Sequence, residues 1–436
     1  MTDLTEIYGW GIYPKHDARL LNPSNVASVK SISKQENSFI ARGMGRSYGD
    51  SAIAPMVLQT SYINHFIEFD ELSGKLTVEA GITLREILSV IVPKGWFLPV
   101  TPGTSYVTVG GAIASDVHGK THHIAGTFGQ HVKSLNILLG TGEILTASPQ
   151  HHPDLFHATC GGMGLTGIIL NATIQLIPIR SSNINQKTIK ADCIEAACES
   201  FEHNSSSTYS VAWIDCLSKG KNLGRSVLML GEHAEQGGLD INIRQRVSVP
   251  FSSPSALLNS LTMKAFNTAY WNKSKHNVNQ TVALMPYFYP LDAVGDWNKL
   301  YGKKGFLQFQ CVLPKSDGVA NMRNLLTEIS NSGEGSFLAV LKQFGIANQN
   351  LLSFPTEGYT LALDFKLTKS SLKTVRKLED MVFDMGGRIY LTKDALMQEK
   401  TFKVTYPNWE TFESVREQYG AIGKFSSMQS QRLGLA

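Results

Sequence analysis

Two glycine-rich stretches, ARGMGRSYGDSA (41–52) and TPGTSYVTVGGAIASDVHGKTHH (101–123), decide how this sequence folds. In the first, Gly43, Gly45 and Gly49 can turn successive backbone N–H groups toward one centre, which is how anion-binding nests are built. In the second, small residues cluster between 110 and 115 and let a ligand approach the backbone closely. Two such loops favour one extended, phosphate-bearing ligand held at two places. A pair of ordinary glycine turns is the alternative.

A third glycine motif, GMGLTG (162–167), matches the pattern GxGxxG. A dinucleotide-binding fingerprint of the Rossmann type follows a strand and opens a helix. Here PDLFHATC (153–160) has a helical pattern and IILNATIQLIPI (168–179) alternates as a strand, so the order is reversed. The sequence therefore excludes a Rossmann site. A dinucleotide flavin held by the two loops upstream fits the spacing better.

Length and composition exclude several classes of protein. The chain has 436 residues, 42% hydrophobic and 17% charged, which suits two or three folded domains and excludes a disordered chain. Its formal net charge of +4 is too small to indicate a nucleic-acid partner. Eighteen of the 38 glycines lie between Gly43 and Gly167, so close contact between backbone and ligand is expected in the first part of the chain.

The chain is expected to be cytoplasmic. Its start, MTDLTEIYGWGIYPKHDARL (1–20), has no basic region followed by an apolar one, so no secretory signal is predicted. The most apolar window, 88–100, is too short to span a bilayer. Five scattered cysteines form neither a disulfide framework nor a zinc pattern, and are typical of free thiols in a reducing compartment.

Residue patterning predicts an α+β protein. After about residue 182, glycine-rich turns give way to amphipathic strands and helices. A helix is expected from Thr83 to Val92, with Thr83 and Glu86 as a capping box. A segment from Ser248 to Trp271 is Ser-rich with scattered large apolar residues, and is either a lid or a surface-seeking loop. The other predicted elements are strands at 65–70, 75–81, 211–216, 305–314 and 359–367, a hairpin at 134–148 turning near 140–142, and helices around 319–329 and 372–382.

The densest histidine patch consists of His118, His122, His123 and His131. The spacing of four between the first two would suit a metal on a helix. Glycines at 119, 126 and 129 disfavour a helix there, and no carboxylate or thiolate lies at ligand spacing, so no metal site is predicted. A hydrogen-bonding role near a cofactor and a plain structural role both stay open.

Taken together, these segments resemble the FAD-binding PCMH superfamily, the flavoproteins of the vanillyl-alcohol oxidase type, and within it the decaprenylphosphoryl-β-D-ribose oxidase group. The resemblance covers almost the whole chain. It is carried by 41–52 and 101–123, and further by GTFGQHV (126–132), GGMGLTGIIL (161–170), GFLQFQ (305–310), LSFP (352–355) and GGRIYLTKD (386–394).

The resemblance implies an α+β fold with three parts. A two-subdomain FAD-binding domain is expected at 1–182. A substrate-binding domain on a broad antiparallel sheet flanked by helices is expected at 183–387. A C-terminal return to the FAD-binding domain is expected at 388–436.

FAD is the implied cofactor, and the resemblance assigns its contacts. Many relatives attach FAD covalently through a histidine in the first glycine loop. Arg46 holds that place here, so dissociable, non-covalent FAD is predicted. The implied FAD contacts are Arg42, Gly43, Met44, Gly45, Arg46, Ser47, Tyr48, Pro102, Gly103, Thr104, Val109, Gly110, Gly111, Ser115, Gly119, Thr121, His122, Gly126, Gly129, Gly167 and Ile168.

Lys393 is the first predicted catalytic residue. In GRIYLTKD it shares strand parity with Ile389 and Leu391, so it is either a snorkelling end residue or a desolvated amine. The resemblance favours the amine, because this lysine matches the group's active-site lysine. His118 and Tyr390 match catalytic positions too. Tyr390 has the opposite parity, so a bulge or a strand end near Lys393 is required for both to reach the site.

Substrate contacts are predicted at Gln308, Gln310, Lys342 and Lys120. The two glutamines alternate with apolar residues, so their face either recognises hydroxyl groups or faces solvent. By resemblance, Lys342 pairs with a substrate phosphate. Ala362 departs from the group, whose mycobacterial members carry a cysteine there, so covalent chemistry at that thiol is not expected.

By resemblance, the protein oxidises C2 of a polyprenylphosphoryl ribofuranose to the keto sugar, and a partner reductase of the short-chain-dehydrogenase type completes epimerisation to the arabinose. A lipid substrate also implies peripheral contact with the inner membrane face. One alternative keeps the fold but acts on free alditols or sugar lactones. Another is a binding protein with a decayed flavin site, against which the intact glycine loops and Lys393 argue.

Overall fold

The computed structural model describes residues 4–243, 247–251, 259–336 and 338–435. The first sheet has four strands in the order β1-β2-β4-β3, and β2, β4 and β3 run parallel. Because β3 ends at Arg42, the chain enters the first glycine loop at the edge of this sheet. The elements are β1 (Thr5–Tyr8), β2 (Lys15–Leu21), α1 (Val26–Gln35), β3 (Ile40–Arg42) and β4 (Met56–Gln59).

A second, antiparallel sheet follows, in the order β5-β6-β10-β8-β9, with a separate two-stranded pair of β7 and β11. Its elements and their helices are β5 (Phe66–Asp70), β6 (Lys75–Glu79), α2 (Leu84–Ile91), β7 (Trp96–Phe97), α3 (Val109–Ala114), α4 (His122–Ala125), β8 (Val132–Leu138), β9 (Ile144–Ala147), α5 (Pro153–Thr159), β10 (Ile168–Gln175) and β11 (Ile177–Pro178).

The helix cap, the hairpin and the order of elements around the third glycine motif are confirmed in this half of the chain. Thr83 caps α2 and forms a capping box with Glu86, and Leu84, Ile87 and Leu88 point into the core. The hairpin of β8 and β9 turns at the predicted glycines. The motif at 162–167 stands between helix α5 and strand β10, which is the reverse of the Rossmann order.

The second half is built on one eight-stranded antiparallel sheet with the order β16-β12-β14-β13-β19-β20-β18-β21. Its elements are β12 (Asn183–Ala191), α6 (Ile194–His203), β13 (Tyr209–Ile214), β14 (Ser226–His233), β15 (Val247–Ser248), α7 (Ser260–Lys273), β16 (Val278–Ala283), α8 (Leu284–Phe288), β17 (Val294–Gly295), β18 (Phe306–Pro314), α9 (Gly318–Ser332), β19 (Val340–Phe344), β20 (Gly358–Lys366), α10 (Lys369–Asp384) and β21 (Arg388–Ile389).

The two faces of the eight-stranded sheet have different coverings. Helices α6, α9 and α10 pack on one face. Alternate residues on the other face point into a cavity shared with the glycine loops, among them Gln308 and Gln310 on β18 and Lys342 on β19. The predicted α+β fold with a broad antiparallel sheet flanked by helices is confirmed by this arrangement.

The chain then returns to the first half through α11 (Glu399–Thr405), α12 (Trp409–Gln418) and α13 (Met428–Arg432). Strand β21, which directly follows the proposed boundary at 387, pairs with β18 of the large sheet. Short 3₁₀ helices lie at Val92–Lys94, Phe128–His131, Gly220–Asn222, Pro290–Ala293 and Trp297–Tyr301.

Part of the segment predicted to be a lid or a surface-seeking loop, 252–258, lies outside the described residues. Its flanks form β15, which pairs with β17, and helix α7. On α7, Phe266 and Tyr270 line the cavity, and Tyr270 packs against Trp213 of the large sheet with ring centroids 4.6 Å apart. The described flanks of this segment therefore border the cavity.

Candidate active site

A cavity of about 640 Å³ lies between the glycine loops and the open face of the eight-stranded sheet. Its size falls in the range of small-molecule and cofactor sites. The predicted site residues that line it are Arg42, Gly43, Met44, Gly45, Arg46, Ser47, Tyr48, Pro102, Gly103, Thr104, Gly110, Gly111, Ser115, His118, Gly119, Lys120, Gly167, Gln308, Gln310, Lys342, Tyr390 and Lys393.

The two glycine loops meet directly. A Cβ on Gly43 would collide with the Thr108 side chain, so the loops touch only because residue 43 is glycine. Gly45 has φ +61°, which L side chains rarely adopt. Among the described residues, no acceptor lies within hydrogen-bonding distance of the N–H groups of Met44 to Ser47. These free donors line the cavity and suit an anionic group.

The two arginines of the first loop have different surroundings. Arg42 donates to the carbonyl oxygens of Ala52, at 3.0 Å, and Tyr8, at 2.6 Å, so it braces the loop. The guanidinium of Arg46 lies 3.9 Å from the Trp10 ring centroid, and its Nε has no hydrogen-bond partner among the described residues. A buried orphan donor on the cavity wall fits a polar cofactor such as FAD.

The other predicted cofactor contacts do not line the cavity, because they lie behind its wall. Gly129 donates its N–H to the buried carboxylate of Asp116, which also accepts from Asn350 and Ser353 and so joins the loop to the second half. The residues behind the wall are Val109, Thr121, His122, Gly126, Gly129 and Ile168.

His118 is a buried neutral imidazole on the cavity wall. Burial holds its pKa well below the usual range, and the charges of Lys342 and Lys393 lower it further. Its Nε2 lies 2.9 Å from the side-chain nitrogen of Gln310, which also donates to Thr360. Since the amide nitrogen can only donate, Nε2 accepts and the proton is on Nδ1. That Nδ1 has no partner among the described residues.

A strand end places both Tyr390 and Lys393 at the cavity. Strand β21 stops at Ile389, and the Lys393 N–H then closes a turn onto the Tyr390 carbonyl at 2.9 Å. The parity argument for Lys393 is therefore wrong, because the residue is not in a strand, whereas the expected strand end is confirmed. The Tyr390 hydroxyl donates to the Ser115 carbonyl at 2.8 Å, which ties it to the second glycine loop.

The side-chain amine of Lys393 has a lowered pKa. Its Nζ lies 3.8 Å from the ring centroid of Tyr48. Burial lowers the pKa of Lys393 to about 7, although Asp364 raises it, while the charge of Lys342 lowers it further. At neutral pH about half of these amines are therefore uncharged and can accept a proton.

Asp364 is a cavity residue that the sequence analysis missed. It is fully buried on β20, and it accepts from Gln308 at 2.6 Å and from the Tyr301 hydroxyl at 3.2 Å. Burial raises its pKa to about 6. Strand parity could have identified Asp364. It lies two residues after Ala362 on β20, so both side chains point to the same face, and both line the cavity.

Two further lysines line the cavity, and both are only partly exposed. Burial lowers the pKa of Lys120 to about 7, with a contribution from Lys342, and lowers that of Lys342 to about 8. Lys120 donates to the Phe288 carbonyl at 3.0 Å. Together with Lys393, they form a lysine cluster that an anionic ligand would stabilise.

An ion network from the C-terminus holds the Lys393 turn. Arg432 on α13 donates to Asp394 at 2.9 Å and to Asp50 at 2.7 and 3.1 Å, and both carboxylates are buried. Asp50 ends the first glycine loop, and the N–H of Tyr48 donates to the Thr392 carbonyl at 2.9 Å. The loop and the lysine turn are therefore fixed to each other by two independent contacts.

The described part of the chain has neither a candidate metal cluster nor a candidate membrane-spanning helix. It contains no group of three or more His, Cys, Asp or Glu side chains placed to hold a metal ion. In the same residues, no helix combines the length and apolar character needed to cross a membrane.

Comparison with known proteins identifies relatives of the chain. Residues 19–148 match the family described as FAD binding domain. Decaprenylphosphoryl-β-D-ribose oxidase of Mycolicibacterium smegmatis is 35% identical over 100% of this chain and 98% of its own length. An uncharacterised Streptomyces coelicolor protein is 28% identical over 81% of this chain and all of its own. D-arabinono-1,4-lactone oxidase of Kluyveromyces lactis is 27% identical over 41% of this chain and 36% of its own.

Proposed function

Since this chain belongs to the decaprenylphosphoryl-β-D-ribose oxidase family of FAD-dependent oxidoreductases, we propose that it oxidises the C2 hydroxyl of a polyprenylphosphoryl-β-D-ribose to the 2-keto sugar. The observation that carries the proposal is that Lys120, Lys342 and Lys393 line one cavity together with the neutral imidazole of His118. A phosphate and a hydroxyl that must lose a proton would both find suitable groups there.

FAD binding is assigned to the glycine loops. The free N–H donors of Met44 to Ser47 and the orphan Nε of Arg46 would hold the pyrophosphate. Bound FAD supplies the acceptor for the hydride that leaves C2. Arg46 cannot form the histidyl bond of covalent relatives, so denaturation should release FAD into the supernatant after precipitation of the protein. Flavin that stays with the precipitate would contradict non-covalent binding.

Lys342 and Lys120 are proposed to bind the substrate phosphate, because an anion would restore the charge that burial disfavours. The neutral amine of Lys393 takes the proton of the C2 hydroxyl as the carbonyl forms. Gln310 fixes the His118 ring and presents its amide to the sugar. Tyr390 stays bonded to the Ser115 carbonyl and positions the Lys393 turn.

The cavity also has an apolar wall on the α7 side, formed by Trp213, Phe266 and Tyr270. We assign this wall to the first isoprene units of the lipid. A 2-keto product needs a reductase to give the arabinose, and we propose a partner of the short-chain-dehydrogenase type, with the enzyme held peripherally at the inner membrane face.

Flavin bleaching tests the proposal. Anaerobic holoenzyme mixed with a ribosyl phosphopolyprenol should lose its 450-nm flavin absorbance, an order of magnitude faster than with free ribitol or arabinono-lactone. Rapid bleaching by a free polyol alone would instead favour the alditol or lactone oxidase, to which the partial match with lactone oxidases gives some support. Purified protein without flavin would favour a binding protein.

A further inference from the structure

Four exposed apolar side chains lie on the two described flanks of the segment that borders the cavity. Val247 is 64% exposed, Phe251 70%, Leu261 76% and Phe266 46%. Phe266 lines the cavity although it is exposed, so it marks the mouth. Strand β15, which contains Val247, pairs with β17, and both residues of β17 line the same cavity. The apolar residues on both flanks therefore border one opening. Exposed apolar surface of this kind marks a site of interaction.

Charge is distributed unevenly along the segment of sequence that carries these apolar residues. Between Asp240 and Asp292 the sequence contains no aspartate or glutamate. The same stretch carries Arg244, Arg246, Lys264, Lys273 and Lys275. The whole chain is nearly balanced, with 40 basic and 36 acidic residues, so this stretch holds a local cationic excess. Lys264, Lys273 and Lys275 are exposed in the structure.

Helix α7 is fixed to the sheet on its other side. The buried amide of Asn267 donates to Asp215 at 2.8 Å. Lys190 donates to the Trp271 carbonyl at 3.0 Å and lies 4.1 Å from its ring centroid. These anchors fix the rotation of the helix, so that Leu261 and Lys264 stay exposed. The exposed face is thus held in place.

We infer that Val247, Phe251, Leu261, Phe266, Lys264, Lys273 and Lys275 form a docking surface for an anionic lipid bilayer. Apolar side chains inserted between head groups, with lysines against lipid phosphates, are what interfacial attachment requires. Docking would set the cavity mouth against the membrane, so that a prenyl phosphate sugar enters without leaving the lipid phase. The functional part of this inference rests on the proposed lipid substrate, whereas the binding itself does not.

Vesicle co-sedimentation of the FAD-loaded protein tests the surface. We expect binding to vesicles of phosphatidylglycerol and phosphatidylcholine, little binding to phosphatidylcholine alone, and release by high salt. Leu261→Asp combined with Phe251→Asp should weaken binding roughly tenfold, and Lys264→Ala roughly fivefold. The matched control is Leu72→Asp, since Leu72 is 96% exposed in the turn between β5 and β6. Equal binding of the double variant and this control, or equal binding to neutral vesicles, would overturn the inference.

Kinetics separate the docking surface from the proposed function. With substrate embedded in anionic vesicles, the double variant should bleach its flavin roughly tenfold more slowly than Leu72→Asp. With a water-soluble, short-chain ribosyl phosphate, the two should be equal. An equal loss on both substrates would overturn the docking role. If no ribosyl phosphate bleaches the wild type, the proposed function fails, while vesicle binding still decides the surface.

Discussion

Replacing Lys393 by methionine removes the proposed base and leaves the shape of the side chain nearly unchanged. The amine has a pKa of about 7 because it is buried. One pH unit below that value only about a tenth of the amines are neutral, so kcat/KM of the wild type should fall about tenfold from its plateau to pH 6. Without the amine this acid limb should disappear. The lost proton transfer should lower kcat/KM by about 10²–10⁴, which is roughly 3–5 kcal/mol of barrier.

Anaerobic stopped-flow bleaching between pH 5.5 and 9 measures both effects in one experiment. The control is Lys342→Met, which removes a neighbouring cavity lysine assigned to binding. It should raise KM and leave kcat within a few-fold of the wild type. Retained flavin absorbance in both variants excludes loss of cofactor as the cause. Should Lys393→Met keep more than a tenth of the wild-type rate, or keep an acid limb near pH 7, the assignment of the base is wrong.

Three further changes have defined outcomes. Asp364 raises the pKa of Lys393, so Asp364→Asn should move the acid limb of the kcat/KM profile to lower pH; an unmoved limb would show that the two groups are not coupled. Arg432→Met removes the ion-pair partner of two buried carboxylates, Asp50 and Asp394, and should cost about 3–5 kcal/mol in urea unfolding. Burial raises the pKa of Asp50 and Arg432 lowers it, so the pKa of Asp50 should rise further in the variant. The loss of stability should therefore become smaller as the pH falls toward 4, and a loss independent of pH would argue against the ion network. Gly43→Ala forces the loops apart and should raise the Kd for FAD at least roughly tenfold in fluorescence titration, with unchanged affinity as the contrary result.

Individual elements of the fold were predictable from the sequence where the residues that determine them lie close together in the chain. Thr83 and Glu86 form the expected capping box because both partners lie within one turn. Amphipathic spacing identified α9 and α10 because each buries one face against the large sheet. The order of strands in that sheet was not predictable, since β18 pairs with β20 and β21 across long stretches of chain.

The site could be predicted from the sequence only in part. Gly43 and Gly45 were identified because their backbone demands are local. Ile168 and His122, two of the predicted FAD contacts, do not line the cavity, because the sequence cannot tell which side of a loop or strand forms the cavity wall. Asp364 was missed for a related reason, because its importance comes from Gln308 and Lys393, which only the folded sheet brings near it.

Specific deuteration of the substrate tests whether oxidation takes place at C2. In the proposed reaction, one hydride leaves C2 of a ribosyl phosphopolyprenol while the C2 hydroxyl gives up its proton. Deuterium at C2 should therefore slow anaerobic flavin bleaching of the wild type and should be absent from the isolated keto product. Deuterium at C3 should leave the bleaching rate unchanged and should remain in the keto product. If C2 deuteration leaves the rate unchanged and the label stays in the sugar, oxidation at C2 is contradicted.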